Sequence, residues 1–519
     1  MCKNTKKRAS IGYGLKGTSF HGNGVLCTLL GMIMNTDNIV IGAGYAGLAT
    51  AALLAKQGKD VILLEKHSAI GGCASFFRRM RYTFDVGATT LSGLRPHQPL
   101  GRLFQELNLK PEIMHCDPGM VIHLDDHQIV RHADLDKWIA EAESHFGKKG
   151  QRGFWKEIHA IDEKMWNVLH RNPEFPPKSL GDLIKMGSRI SNLSALPLLR
   201  DLFRPMDVLI EKHGLKSNVL FKKFINEQLL ISTQSFSDTA PIVTGAMGLA
   251  YPADTYYPIG GITKPAQLLA EYIRTNGGTI ILKESVESID IQSDDSFMVK
   301  TTKGNEYQAK HLFNSIPIWN MKNIAKGNAI GNLAEQYVYT FTKAWGAFTA
   351  YFAIETEYHP ASPYAQIHTT SRIPHCEGDS FFVTWSHRED TVKAPEGWST
   401  ITISTHTEAS QWYGLSEEDY ARKKEETLTF ILSEFNRVFP QVASLEKHYV
   451  DAGTPTTFEH FTGRHQGFVG GLPHSVELGL FNLPKNITPI KNYAAIGDTS
   501  FPGQGTPAVV MSAMNAVKM

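Results

Sequence analysis

Hydrophobic and polar positions fall into distinct textures along the chain. After Asp37-Asn38, the apolar run Ile39-Val40-Ile41 gives way to Gly42-Ala43-Gly44. Small and apolar residues follow from Tyr45 to Ala55, then a second apolar run, Val61 to Leu64, closed by Glu65. Short unbroken apolar runs bounded by glycine predict strands buried on both faces, and the small-residue stretch between them predicts a closely packed helix. Together they make a βαβ unit. The same texture returns twice. A helix is predicted over Lys264 to Asn276, then a Gly277-Gly278 turn, a strand from Thr279 to Leu282 and another from Ser285 to Ile289. Phe297 to Thr302, the turn Lys303-Gly304-Asn305 and a strand through Leu312 predict a hairpin. Near the end, Tyr493 to Ile496 reads as a buried strand running into Gly497-Asp498.

The intervening segments differ. From Gly101 to Asp254 the patterning is helical, rich in Leu, Phe, Trp and Met, and punctuated by Pro173, Pro176 and Pro177. Its aromatic stripe from Phe154-Trp155 to Trp166 and Leu169 reads as core, the commoner fate of such stripes. From Phe341 to His406 short alternating strands are predicted (Trp345 to Ile354, Phe381 to Trp385, Thr400 to Thr405), with a charged helix from Ser416 to Phe439. The expected fold is therefore α/β. A discontinuous Rossmann-like dinucleotide-binding domain (34–110, 256–325, 485–519) is interleaved with an α+β substrate domain (111–255, 326–484) that carries a mixed sheet and a helical insertion. Two domains suit a chain of 519 residues, 42% of them hydrophobic.

A net charge of +1 offers no basic face for nucleic acid. Cys2, Cys27, Cys73, Cys116 and Cys376 never form a CxxC pair, so they read as thiols of a reducing compartment, with no metal site expected. Residues 1–33 read as an extension outside the fold. Their apolar run from Gly24 to Met34 is too short to span a bilayer, and Met34 is the expected translation start.

The chemistry sits in the first texture. Gly42 allows the tight turn, Gly44 lets backbone approach a pyrophosphate, and Gly47 lets helix and sheet pack closely. The helix N-terminus favours phosphate charge. Glu65, roughly twenty residues on, stands where a carboxylate accepts both hydroxyls of an adenosine ribose and repels a 2'-phosphate, which disfavours NADP. Gly71-Gly72 offers a further close approach, and Phe84 to Ala88 reads as a strand leading to a third. At the other end Thr506 reads as an N-cap and Pro507 as the first helical residue.

The run from Ile39 through Gly87 resembles the flavoproteins that include phytoene desaturases, carotenoid isomerases and retinol saturases, within the amine-oxidase-like superfamily. Many members carry Arg after the glycine pair where Cys73 stands here, which bears on the subfamily. The resemblance extends to Val517 and implies FAD as cofactor. It implies cofactor contacts from Gly42, Ala43, Gly44, Tyr45, Ala46, Gly47, Glu65, Lys66, Gly71 and Gly72. It adds Val286, whose backbone would meet adenine, Gly497, Asp498 on the ribityl chain, and Gly505, Thr506 and Ala508 at a helix start facing the flavin. Thr454 to Gly471 resembles a segment near the family's substrate tunnel.

It also implies an oxidoreductase acting on CH-CH bonds of a long apolar polyene, first a carotenoid-type desaturase, alternatively a cis-trans isomerase or a retinol-type saturase. Electrons would pass to or from a diffusing partner. Flavin-free prenyl carriers of the Rab-escort type share the fold, but the intact glycines, Glu65 and Asp498 argue against that reading. No aromatic cage for an amine is identifiable. No catalytic side chain stands out: His387 and Glu389 could relay protons, but surface positions are their commoner identity. The apolar and basic stretch Gly187 to Leu215 is compatible with a membrane-surface helix, although a solvated face over packed core is the simpler account. The implied location is cytoplasmic, with peripheral membrane association as an option.

Overall fold

The computed structural model describes residues 33–519. Two seven-stranded sheets organise it. In the first, the strand Ile33–Ile41 lies parallel to Glu306–Asn314 on one side and to Val61–Leu64 on the other, and Thr279–Ile281 extends the parallel order. Tyr493–Ala495 joins the C-terminal half of Glu306–Asn314, and Val286–Ile291 and Phe297–Thr301 add an antiparallel edge to its N-terminal half. The first strand reaches back beyond its apolar run to Ile33, where backbone pairing with Glu306 continues although the side chains there are exposed or half-buried. The expectations for residues 1–32 lie outside the described residues.

The helix Tyr45–Lys56 is buried over almost its whole length. Its alanines let it lie against Thr263–Thr275 and Thr506–Ala516, and Leu48, Leu53, Leu269 and Val510 share one core. Small side chains on every face explain why this helix shows no amphipathic stripe.

The second sheet takes its order from His448–Gly453, Trp345–Glu355, Trp398–Glu408, Ser380–Trp385, Tyr364–His368, Met120–Leu124 and His127–Arg131. It is antiparallel except where Tyr364–His368 runs parallel to Met120–Leu124. The hairpin Met120–Leu124/His127–Arg131 is a strand element, not picked out from the sequence, in a middle region whose patterning is mostly helical. Its Asp125-Asp126 turn, with Asp125 at φ 51°, lies between two runs too short to show a period. The charged helix runs Glu417–Val438, with the Ser416 side chain accepting from the Asp419 amide as its cap. The stretch Gly187–Leu215, compatible in sequence with one amphipathic helix, is a chain of short pieces, Ile190–Ala195, Leu196–Asp201 and Met206–Lys212, preceded by Leu180–Gly187.

Candidate active site

One cavity of about 900 Å³ runs between the two sheets. At one end it is lined by Gly42, Gly44, Tyr45, Ala46, Glu65, Lys66, Gly71, Gly72 and Val286, and further along by Gly497, Asp498, Gly505, Thr506 and Ala508. Fourteen of the sixteen expected positions therefore share one surface, although Glu65 and Asp498 are more than 400 residues apart in sequence. Ala43 and Gly47 lie behind it. The Ala43 amide donates to Glu65 Oε2 at 2.6 Å, and a Cβ on Gly47 would stand 1.8 Å from the carbonyl oxygen of Gly42.

Gly44 is the counterpart of Gly47: a Cβ there would meet nothing within 4 Å, yet the residue borders the cavity. The open space lies where the helix N-terminus presents amide donors, which fits an anionic group held by backbone. Glu65 accepts from Ala43 and, through Oε1, from the His67 amide at 2.7 Å. A carboxylate has about four acceptor positions, so capacity for two ribose hydroxyls remains. Gly71 is tied back to Ala43 by a 2.8 Å amide hydrogen bond, which sets the second glycine turn beside the first. At Val286 the ladder to Phe297–Thr301 slips, so the backbone beside the cavity is not fully taken up by sheet pairing. These features fit the adenosine and pyrophosphate of a dinucleotide.

At the other end of the nucleotide groove the helix begins at Thr506 with Gly505, at φ 87°, as its cap residue. This corrects the reading of Thr506 as N-cap: its hydroxyl bonds the Ser92 carbonyl oxygen at 3.3 Å, and no side chain caps the helix. Its amides are thereby left open to the cavity. Asp498 is held by Arg464, Nη1 to Oδ1 at 3.2 Å and Nη2 to Oδ2 at 2.8 Å. Neither that pair nor Ser315, whose Oγ donates to the Ile41 carbonyl oxygen at 2.6 Å, was singled out from sequence. Cys73 lies near both charges, and burial pushes its thiol up.

Beyond the nucleotide groove the cavity wall is hydrocarbon. Met165, Trp166 and Leu169 come from the helix Gln151–Arg171, Leu230 and Ile231 from Val219–Thr233, and Val243 and Met247 from Ile242–Ala250. Phe381 and Phe382 come from the second sheet. The aromatic stripe is core as expected, with Phe154, Trp155, Trp166 and Leu169 in one buried cluster, and Trp166 and Leu169 also border the cavity.

Few titratable groups interrupt this wall. Asp162, buried beside Met165 and Trp166, has its carboxyl pushed up to about 7, mainly by burial. Arg95 opposes the shift and Asp254 adds to it. Glu227 is raised by burial and partly offset by Ser380, whose hydroxyl donates to it at 2.6 Å. Burial holds His406 and His474 down to about 4. His387 and Glu389 do not border the cavity: the His387 amide donates to the Tyr257 hydroxyl at 3.1 Å, and Glu389 is exposed. No group of three or more His, Cys, Asp or Glu side chains that could hold a metal occurs among the described residues.

The sequence pattern described as "Flavin containing amine oxidoreductase" matches residues 45–462. The chain belongs to this family. It is an FAD-dependent enzyme. Among curated relatives, prolycopene isomerase of Arabidopsis thaliana is 28% identical over 493 residues, covering 92% of this chain and 81% of the relative. All-trans-retinol 13,14-reductase of Danio rerio is 24% identical, covering 89% and 82%. A 4,4'-diapophytoene desaturase of Methylomonas is 22% identical, covering 93% and 95%. Among solved structures, an oxidoreductase from Methanosarcina mazei superposes with a TM-score of 0.63 at 16% identity, covering 94% of this chain and all of that one. That likeness concerns the fold.

Proposed function

We propose that this enzyme acts on the carbon–carbon bonds of a long apolar polyene of the carotenoid type. The observation that carries the reading is a single cavity that joins a dinucleotide grip to a hydrocarbon wall about three helices wide, whose few charged groups are already met within the protein, Arg95 by Asp254 and Glu227 by Ser380. Gly44, Gly71 and Gly72 hold the pyrophosphate by backbone, Glu65 the adenosine ribose, Asp498 the ribityl chain, and the helix start at Thr506 faces the flavin. When bound, FAD supplies two-electron chemistry at the isoalloxazine, and a diffusing partner exchanges those electrons. The protein's part is to align the polyene along Met165, Trp166, Leu169 and Met247 and to exclude water. Burial brings the Asp162 carboxyl up to about 7 in that wall, so its acid and base forms coexist near neutral pH and it is the group best placed to give or take a proton.

Two outcomes are open to such a site. The sequence reading put desaturation first, and the resemblance to a diapophytoene desaturase supports it. Isomerisation, its alternative, draws support from the prolycopene isomerases, which share 27–28% identity over 92–93% of the chain. Anaerobic incubation of the yellow, FAD-loaded protein with cis and trans carotenoids and with retinol tests the reading. Loss or gain of two hydrogens marks redox chemistry, an unchanged mass with shifted retention marks isomerisation, and no product from any polyene sinks the proposal.

The substrate's insolubility raises the question of how it arrives. Leu183, Ile184, Ile190, Leu193, Leu199 and Phe203 are exposed along one segment, while Leu202 of the same segment lines the cavity. Lys185 and Arg200 flank them at the surface. No helix among the described residues is long and apolar enough to cross a membrane. This face supports peripheral docking on an anionic bilayer at the cytoplasmic side, with the cavity opening toward it. Flotation with phosphatidylglycerol vesicles checks this, and equal flotation of wild type and a Leu193→Ser/Leu199→Ser variant would count against it.

A further inference from the structure

Among the described residues, the nucleotide groove contains one buried cation that the expected cofactor contacts leave without a task. Arg464 follows the helix Pro455–Thr462, lines the cavity, and has an 11% exposed side chain. Nη1 and Nη2 each donate to one oxygen of Asp498, and Nε donates to the carbonyl oxygen of Phe468. A guanidinium carries five N–H donors. Three are used here, and two have no protein acceptor among the described residues. A planar cation with one edge fixed and further donors free is built for an oxyanion.

Its neighbours narrow the choice of anion. Cys73, in the second glycine turn, lies close enough to interact electrostatically with both Arg464 and Asp498, so the guanidinium stands beside the turns that approach the cofactor's phosphates. The Lys66 ammonium packs against Gly463, the residue before Arg464, and adds a second positive charge to the same place. Asp498 neutralises one charge of the two. Of the other arginines bordering the cavity, Arg95 faces Asp254 at 3.7 Å and Arg79 is exposed. Backbone amides at the Gly44 turn contribute only partial charges toward a phosphate pair bearing two negative charges.

We propose that Arg464 is a cofactor-binding residue that fixes the Asp498 carboxylate through Nη1 and Nη2, is itself anchored through Nε on the Phe468 carbonyl oxygen, and binds the pyrophosphate of FAD with its remaining N–H groups. The inference rests on the flavoprotein reading and assigns within it the counter-charge of the phosphates.

The full chain, stripped of flavin and titrated with FAD and with riboflavin by fluorescence quenching, tests it, because riboflavin keeps the ribityl chain and lacks phosphate. Arg464→Gln is expected to weaken FAD by about 10- to 100-fold and riboflavin by less than about threefold. The fall of FAD affinity with added salt should become shallower in the same variant. Arg464→Lys keeps the charge and loses the fork, so its loss should fall between, again for FAD alone. Equal losses for the two ligands would mean that Arg464 only props Asp498, and an unchanged FAD affinity would give it no part in binding. Either result overturns the proposal. A melting curve of each apo variant reports folding, and if Arg464→Gln does not fold, the FAD-to-riboflavin ratio of Arg464→Lys decides. Wild type that binds neither ligand would refute the cofactor, a separate failure.

Discussion

The two ends of the cavity are built by opposite rules. At the nucleotide end, backbone forms most of the surface: glycine turns, a helix start without a side-chain cap, and a slipped ladder at Val286 leave main-chain groups available. At the hydrocarbon end, side chains from three helices and one sheet meet, and any apolar residue of similar volume would serve. The first end tolerates almost no substitution at particular positions but looks alike in any protein that uses it. The second tolerates much and therefore carries little recognisable pattern.

The strongest way to break that contrast is to cut a buried tie behind the cavity, between the strand Tyr82–Asp85 after the glycine turns and the loop after Ser380–Trp385. Lys393 and Asp85 form an ion pair at 2.6 Å, with side chains 3% and 1% exposed, and Asp85 also accepts from the Ile262 amide. Lys393→Ala leaves the carboxylate buried without its partner and should cost about 3–5 kcal/mol in urea unfolding. A loss confined to a few tenths would show that the two segments fold independently of this contact.

Asp162 sharpens the comparison at the hydrocarbon end. Its folded carboxyl titrates at about 7, above the ordinary carboxylate range, so the unfolded chain releases the proton first as pH rises. Stability is full below about pH 4 and is lost progressively toward pH 7, by an amount on the order of 4 kcal/mol. Asp162→Asn should flatten this slope, and its stability relative to wild type should be higher at pH 8 than at pH 4.

Gly47 and Gly44 separate fold from ligand within the nucleotide end. Gly47→Ala drives a methyl into backbone and should lower the stability of the apoprotein by about 1–3 kcal/mol or more. Gly44→Ala has open space for its methyl, so the apoprotein should melt within about 1 °C of wild type, yet take up less FAD. Glu65→Gln comes next, with an expected loss of about tenfold in FAD affinity by equilibrium dialysis, as a charged acceptor becomes a neutral amide. The smallest stability effect belongs to the outer face: Leu193→Ser and Leu199→Ser should each change stability by less than about 0.5 kcal/mol, because both are exposed.

Legibility followed the same division. Strands at Ile39–Ile41, Val61–Leu64 and Tyr493–Ala495 announce themselves, since a strand buried on both faces must be apolar throughout. The hairpin at Met120–Arg131 and the strands Tyr364–His368 and His448–Gly453 do not, because their runs are short and their pairing partners lie far away in sequence. The apolar stretch near Leu193 looked like one amphipathic helix, yet Pro197 and Pro205 help divide it into short turns. Trp155 and Trp166 share one helix, one pattern and one core, and only its direction from the helix brings Trp166 to the cavity as well.

The sequence by itself determined the cofactor grip, because a pyrophosphate approached by backbone demands glycine at fixed spacing and a ribose demands an acid at the end of the next strand. Only the tertiary structure decided that Arg464 meets Asp498, that burial raises the Asp162 carboxyl, and that Met165, Met247 and Phe382 share a wall. Those relations join residues from distant segments, and the charge, burial and shape that matter there exist only once the chain has folded.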